Sequence, residues 1–213
     1  RLAASVLVCG MLAACVAQPT KNYTAFRAAD PHSILVVPPV NRSVYVNAPD
    51  YFLSAIAPAI AERGYYVFPI NMVKRVLEDD GLADADLVHH ADPQQLGEMF
   101  GAETVLYVTI ERWDSQYALV ATTTTVEFSY QLKDAHTGQE LWRAKETAVY
   151  QPSSGGGGIA GLVAQAIVSA IEKADPNYMP LVKQANAFAV SRKHSGLPAG
   201  PHAADYKKDG SDF

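Results

Sequence analysis

Apolar positions along this chain follow three rhythms, and each predicts a different kind of element. The first is the unbroken run. Ile34, Leu35, Val36, Val37 and Pro38 read as a strand apolar on both sides, hence central in a sheet, with Pro38-Pro39 closing its ladder. "YYVFPI" (65–70) is a second short strand of this kind. The second rhythm is helical. In "NAPDYFLSAIAPAIAERG" (47–64) the buried stripe is Phe52, Ile56 and Ile60. Asn47 stands at the cap, Pro49 and Asp50 suit the first turn, Gly64 is the stop, and Pro58 predicts a kink. Met72–Glu78 reads as a short helix and "DDGLADADLVHHAD" (79–92) as an acidic loop, after which Asp92-Pro93 opens a helix ending at "MFGA". Ile159, Leu162, Val163, Ala166, Ile167, Ala170 and Ile171 give the cleanest amphipathic stripe, and a last helix runs through "LVKQANAFAV".

The third rhythm has period two. "ETVLYVTIERW" (103–113) is a strand rich in β-forming residues. Residues 126–150 form a hairpin in which Val126, Phe128, Tyr130 and Leu132 share a face and Asp134–Gly138 make the turn. Its returning strand carries Trp142 and Tyr150. Thr122–Thr125 reads as a solvent-facing β stretch, "SSGGGG" (153–158) as a flexible linker, and the aperiodic tail 196–213 as disordered. The order β-α-β-α-α-β-β-β-α-α predicts one α/β domain over 31–195, a mixed β-sheet with helices packed on it. No internal repeat is visible.

Ahead of the domain, Leu2–Ala14 is apolar but shorter than the roughly 20 residues a membrane span requires. Its length suits the h-region of a signal peptide (1–14), with Arg1 as the remnant of a basic n-region whose start is missing. The run stops at Leu12-Ala13-Ala14-Cys15, which resembles the bacterial lipobox. That resemblance implies cleavage before Cys15, a diacylglycerol on its thiol and an N-acyl chain on its amine. Attachment would be stable, because anchoring takes more than one acyl chain. Cys9 is filler within the apolar run. Val16 follows Cys15 where inner-membrane lipoproteins of this class carry aspartate, so the expected address is the periplasmic face of the outer membrane. Residues 16–30 form a tether of at most roughly 50 Å, which Tyr23 and Phe26 can shorten by packing back.

Composition narrows the function classes. The chain has 213 residues, 49% hydrophobic and 18% charged, enough for one well-filled core. A net charge of -5 with no Lys/Arg cluster argues against a nucleic-acid partner. Both cysteines, Cys9 and Cys15, precede the domain, so no disulfide framework holds it.

Candidate chemistry is sparse. His89-His90 with Asp84, Asp86 and Asp92 offers ligand types, but adjacent histidines on an extended segment diverge and the calcium-loop spacing is missing; the expectation is helix caps and no metal. The glycines at 155–158 lack the Lys-Ser/Thr of a phosphate loop. No G-x-S-x-G elbow is present, and the one cysteine expected in the mature chain would be lipidated. Two polar groups remain as a candidate binding patch. Asn41, Arg42 and Ser43 follow a buried strand, where turn capping is the commoner use of Asn and Ser. Arg112 and Trp113, within Glu111–Asp114, read equally as a sheet-edge patch or as a strand end with a half-buried Trp.

Two stretches together carry a further resemblance. "SILVVPPVNRS" and "DPQQLGEMFGAETVLYVTI" resemble the fold shared by the N-terminal domain of the Tol–Pal translocation protein and the periplasmic domain of the curli secretion channel. More broadly, residues 22–206, with "DPHSILVVPPVNRS", "ERGYYVFPINMVKRVLEDDGL", "LYVTIERWD" and "LPAGP", resemble a family of bacterial outer-membrane lipoproteins of unknown function. The resemblance implies the anchor, the α/β fold and self-association as a homodimer or larger homo-oligomer, and brings no catalytic residues. The function expected is a non-enzymatic envelope accessory or assembly factor that docks other envelope proteins, a secretion-channel lipoprotein among them. The alternative is an envelope enzyme, or a binder of peptidoglycan or a small ligand.

Overall fold

A computed structural model describes residues 21–118, 121–150 and 178–213. Expectations for the signal peptide, Cys15, the glycine linker and the amphipathic stripe at 159–171 lie outside the described residues. The elements are α1 (Thr24–Ala29), β1 (Ser33–Val36), β2 (Val40–Asn41), α2 (Ala48–Glu62), β3 (Tyr66–Val67), α3 (Ile70–Asp79), α4 (Ala85–His90), α5 (Pro93–Phe100), β4 (Thr104–Ala118), β5 (Ala121–Asp134), β6 (Glu140–Tyr150) and α6 (Met179–Ser191).

The strands build one mixed sheet in the order β3-β1-β4-β5-β6, with the short β2 also pairing β4. β1 lies parallel to β3 and β4, while β4, β5 and β6 form an antiparallel meander. The expected α/β class with a mixed sheet is what the chain forms. From Ile34 onward β1 is apolar because it is covered twice. Ile34 and Val36 enter the core under α2 and α6, whereas Leu35 and Val37 enter a second core under α3, α4 and α5. On α2, Phe52, Ile56 and Ile60 are fully buried, and the helix runs on through Pro58. Asn47 makes no side-chain cap bond; Pro49, which has no N–H to satisfy, occupies the first turn instead. Val126, Phe128, Tyr130 and Leu132 line the first core as period two requires, and Asp134 ties the turn by accepting from Thr137 N–H at 2.7 Å and His136 N–H at 2.9 Å.

Several expectations need correction. The loop 79–92 contains a helix, α4. The strand at 65–70 shrinks to β3, since Pro69 leads into α3. β4 runs on past Trp113 and β5 begins before Val126, so both strands outlast their apolar alternation and pair with each other as far as Ala118 and Ala121. Thr124 and Thr125 are buried, not solvent-facing, with the Thr124 hydroxyl 3.0 Å from that of Ser115.

The largest correction concerns the chain ends. The tail 196–213, expected to be disordered, packs on the domain through polar anchors that periodicity does not register. Asp209, buried, accepts from Ala199 N–H at 2.6 Å and Arg63 Nη2 at 3.3 Å. Tyr65 donates its hydroxyl to Pro198 O at 2.7 Å. Gly64, at φ +93°, is where the tail comes closest: a Cβ there would meet Ala203 N at 2.5 Å, so only glycine fits. The described part of the tether is folded too. Tyr23 and Phe26 are buried, and Asp30 accepts from Tyr206 Oη at 2.7 Å and Lys207 Nζ at 2.6 Å. Tail and tether root thus fasten each other to the domain.

Candidate functional site

β2 ends in a side-chain-stapled turn. Asn41 Oδ1 accepts from Ser43 N–H at 3.0 Å and from the Ser43 hydroxyl at 2.7 Å, and Asn41 Nδ2 donates to Tyr45 O at 2.9 Å. Ser43 Oγ in turn accepts from Tyr45 N–H at 3.3 Å. A hydroxyl engaged in this way serves the backbone and is not poised as a nucleophile. Arg42 reaches out to Glu111 at 3.6 Å.

Trp113 is neither at an edge nor half-exposed. β4 is an interior strand, and a register shift between Ile110 and Arg112 sets Trp113 into the first core, 3% exposed. Arg112 holds Asp114 through Nε at 3.0 Å and Nη2 at 2.8 Å, an exposed pair apart from the tryptophan. The five predicted patch residues therefore do not share one surface. Asn41 and Ser43 are linked to Trp113 through Tyr45, a residue without a role in the expected patch, which stacks on Trp113 with ring centres 5.3 Å apart and 14° between planes. Tyr178 meets the same indole edge-on at 5.4 Å. With Tyr45 turned in, its neighbours Val44 and Val46 are turned out, 92% and 85% exposed. The alternation Val-Tyr-Val after the Asn-x-Ser turn was the available signal.

Asp84 and Asp92 are helix caps, as expected, but His89 and His90 stand in the last turn of α4 and not on an extended segment. Asp84 accepts from Asp86 N–H at 2.8 Å to start α4, and Asp92 accepts from Gln94 N–H at 3.0 Å to start α5. The two imidazoles diverge: His89 Nε2–H donates to Pro38 O at 3.1 Å, and His90 Nδ1 lies 2.5 Å from Asp86 O. Burial, with Lys133 and His90 adding positive charge, holds the His89 pKa below its ordinary value. Among the described residues no group of three or more His, Cys, Asp or Glu side chains is placed to hold a metal ion.

One concavity on the sheet was not foreseen. Between α4 and β6 no described residue covers the face opposite α2 and α6, leaving a groove of about 530 Å³. Its floor is two rungs across three strands, Tyr107–Gln131–Arg143 and Thr109–Ser129–Lys145, with His89 on one side and Lys21 on the other. Tyr107 is buried with a hydroxyl that finds no hydrogen-bond partner among the described residues, and burial together with Asp92 pushes its pKa up to about 12. Gln131 donates to Glu140 at 2.6 Å, Arg143 pairs with Glu140 at 2.5 Å and Lys145 with Glu127 at 2.7 Å. The groove offers hydroxyl, amide and cationic donors, without a base set beside a nucleophile. Period-two reading of β4 to β6 could have located it, since polar residues fill one face of adjacent strands there.

Similarity to known proteins agrees with this plan. The sequence profile of the family described as "Putative lipoprotein GNA1162-like" matches residues 21–202. The chain belongs to that family. A relative from Neisseria meningitidis serogroup B, named "Putative lipoprotein NMB1124/NMB1162", is 33% identical over 194 residues, covering 89% of this chain and 90% of the relative. The crystal structure of lipoprotein GNA1162 from Neisseria meningitidis is similar at 34% identity with a TM-score of 0.57, over 65% of this chain and 96% of that one. A PelC dodecamer from Paraburkholderia phytofirmans matches at 15% identity and a TM-score of 0.44, over 74% of this chain and 87% of that one, too distant to bear on how this GNA1162-like chain assembles. Among the described residues no helix is long and apolar enough to cross a membrane.

Proposed function

We propose that this GNA1162-like lipoprotein is held by lipid on Cys15 to the periplasmic face of the outer membrane, and that it acts there as a non-enzymatic accessory factor. It self-associates and docks other envelope proteins. The observation that supports docking is the Val44–Val46 loop. Two large apolar side chains stand out in solvent on a turn stapled by Asn41 and Ser43 and backed by the stacked Tyr45 and Trp113. Holding them there costs hydrophobic free energy, which a partner's surface would recover, and the rigid turn means little ordering entropy is lost on contact.

The test is site-specific photocrosslinking in native envelopes, with the photoreactive residue at Val44 or Val46 and, for comparison, at exposed Glu62. Crosslinks from the loop to a second copy or to a discrete envelope protein, lost with Cys15→Ala, are expected. Equal, diffuse labelling from loop and Glu62 would overturn the docking reading. Loop crosslinks that persist undiminished in Cys15→Ala would separate docking from the anchor.

A further inference from the structure

We propose that the groove between α4 and β6 seats on anionic phospholipid, receiving a phosphate headgroup. This inference rests on the anchored reading above and gives the anchored domain a defined face toward the bilayer. The first argument is reach. Six residue steps separate Cys15 from Lys21, which stands at the groove, so the acylated end lies at most roughly 20 Å away. The tether root beyond Lys21 adds no slack, because Tyr23 and Phe26 are buried and the tail clasps Asp30. A groove at that distance is confined to the neighbourhood of the headgroups.

The second argument is charge. Lys21 Nζ donates to Arg143 O and, at 2.8 Å, to Ser195 O, and lies 5.3 Å from the centre of the Trp142 ring; no carboxylate pairs with it among the described residues. Burial and the nearby Arg143 and Arg192 lower its pKa, with Glu140 offsetting only part of the effect. An anion in the groove would relieve that repulsion. The ion pairs around it are layered with acids inside and cations outside: Arg143 is 70% exposed over Glu140 at 31%, and Lys145 is 62% exposed over Glu127 at 23%. The outermost groups of the lip are therefore cations, each set over its own carboxylate, although the whole chain is acidic, and attraction to an anionic surface acts within a Debye length of about 10 Å. The third argument is the floor, where Thr109 and Ser129 supply hydroxyls and Gln131 an amide, the donor types that phosphate oxygens accept from.

The experiment is a lysine-acetylation footprint, read by mass spectrometry, of the full lipidated chain on vesicles of phosphatidylcholine alone or with phosphatidylglycerol. Acetylation of Lys21 and Lys145 should slow about fivefold or more on the anionic vesicles, while Lys74 on α3 is unchanged. In the double variant Arg143→Gln, Lys145→Gln the slowing at Lys21 should vanish. Equal acetylation on both vesicle types would overturn the proposal, as would protection by millimolar glycerol 3-phosphate, without vesicles, that matches the vesicle effect. Flotation reads the anchor separately. A chain that floats with neutral vesicles but shows equal footprints keeps its anchor and loses the groove assignment. A chain that floats only with anionic vesicles, with Lys21 and Lys145 protected, loses the anchor and keeps the groove. A chain that floats with neither loses both.

Discussion

The two faces of the β4–β5–β6 meander are built from alternate residues of the same strands, yet they do opposite things. One face presents Val108, Phe128, Tyr130, Leu132 and Trp142 to α2 and α6 and is dry. The other begins under α4 and α5 with Val105 and Tyr107, then runs on through Thr109, Ser129, Gln131, Arg143 and Lys145, which no helix among the described residues covers. The difference lies in side-chain chemistry alone, since both faces share every backbone hydrogen bond. A sheet face left uncovered in a chain this size must be polar to remain in water. Polarity on three adjacent strands at matched register is also what makes a binding floor.

The sharpest way to break the comparison is on the dry side. Phe128 is fully buried against Phe52, at 5.2 Å between ring centres, with Trp113 and Tyr130 also in contact range. Phe128→Ala should cost about 3–5 kcal/mol by removing a large side chain from a packed core. Urea denaturation followed by circular dichroism would show the shift in midpoint. Next in size is the clasp between the chain ends. Asp209→Ala strips Arg63 and the Ala199 N–H of their buried acceptor and should cost about 1.5–3 kcal/mol. Hydrogen exchange should then rise first in 196–213 and at α1, well before β5.

How much of this was legible beforehand follows the same division. Burial with a period announces itself: the stripe Phe52, Ile56, Ile60 and the alternation from Val126 to Leu132 both point to the core, and all of these residues are buried. Asp92, Asn41 and Ser43 were legible because capping and turn chemistry is local, spanning two or three residues, and so was the capping character of Asp84, though not the short helix it starts. Trp113 was not, since whether β4 lies at an edge or inside depends on β1 and β2, which meet it from far along the chain. The tail failed for another reason. It is fixed by Asp209, by a tight approach at Gly64 and by single residues such as Leu197, none of which makes a periodic pattern. Tyr45 failed because its partner, Trp113, lies in another element.

A smaller effect concerns the groove's rim. Burial holds His89 neutral when folded, aided by Lys133 and His90. In the unfolded chain its pKa returns to about 6.5. A depressed folded value means its contribution is fully present above about pH 6.5 and is lost as pH falls from there to the folded pKa, because only the unfolded chain takes up the proton in that window. His89→Gln should therefore lose less stability than the parent between about pH 7 and pH 5, with other carboxylates and histidines cancelling in the difference. Urea midpoints across that range would test it. Identical slopes would mean that the Pro38 carbonyl offsets burial entirely.

The smallest effect sharpens the comparison most. Ser129 is the residue after Phe128 on β5, paired with Thr109 and Lys145 but on the open face. Ser129→Ala should change the stability of the free protein by no more than about 0.5 kcal/mol, the range for surface substitutions away from any cap or network. One step along a strand would then separate a several-kcal/mol loss from none, as alternation requires. A loss from Ser129→Ala approaching that of Phe128→Ala would mean the face is not open in solution, and that a second copy or another stretch of this chain already lies in the groove.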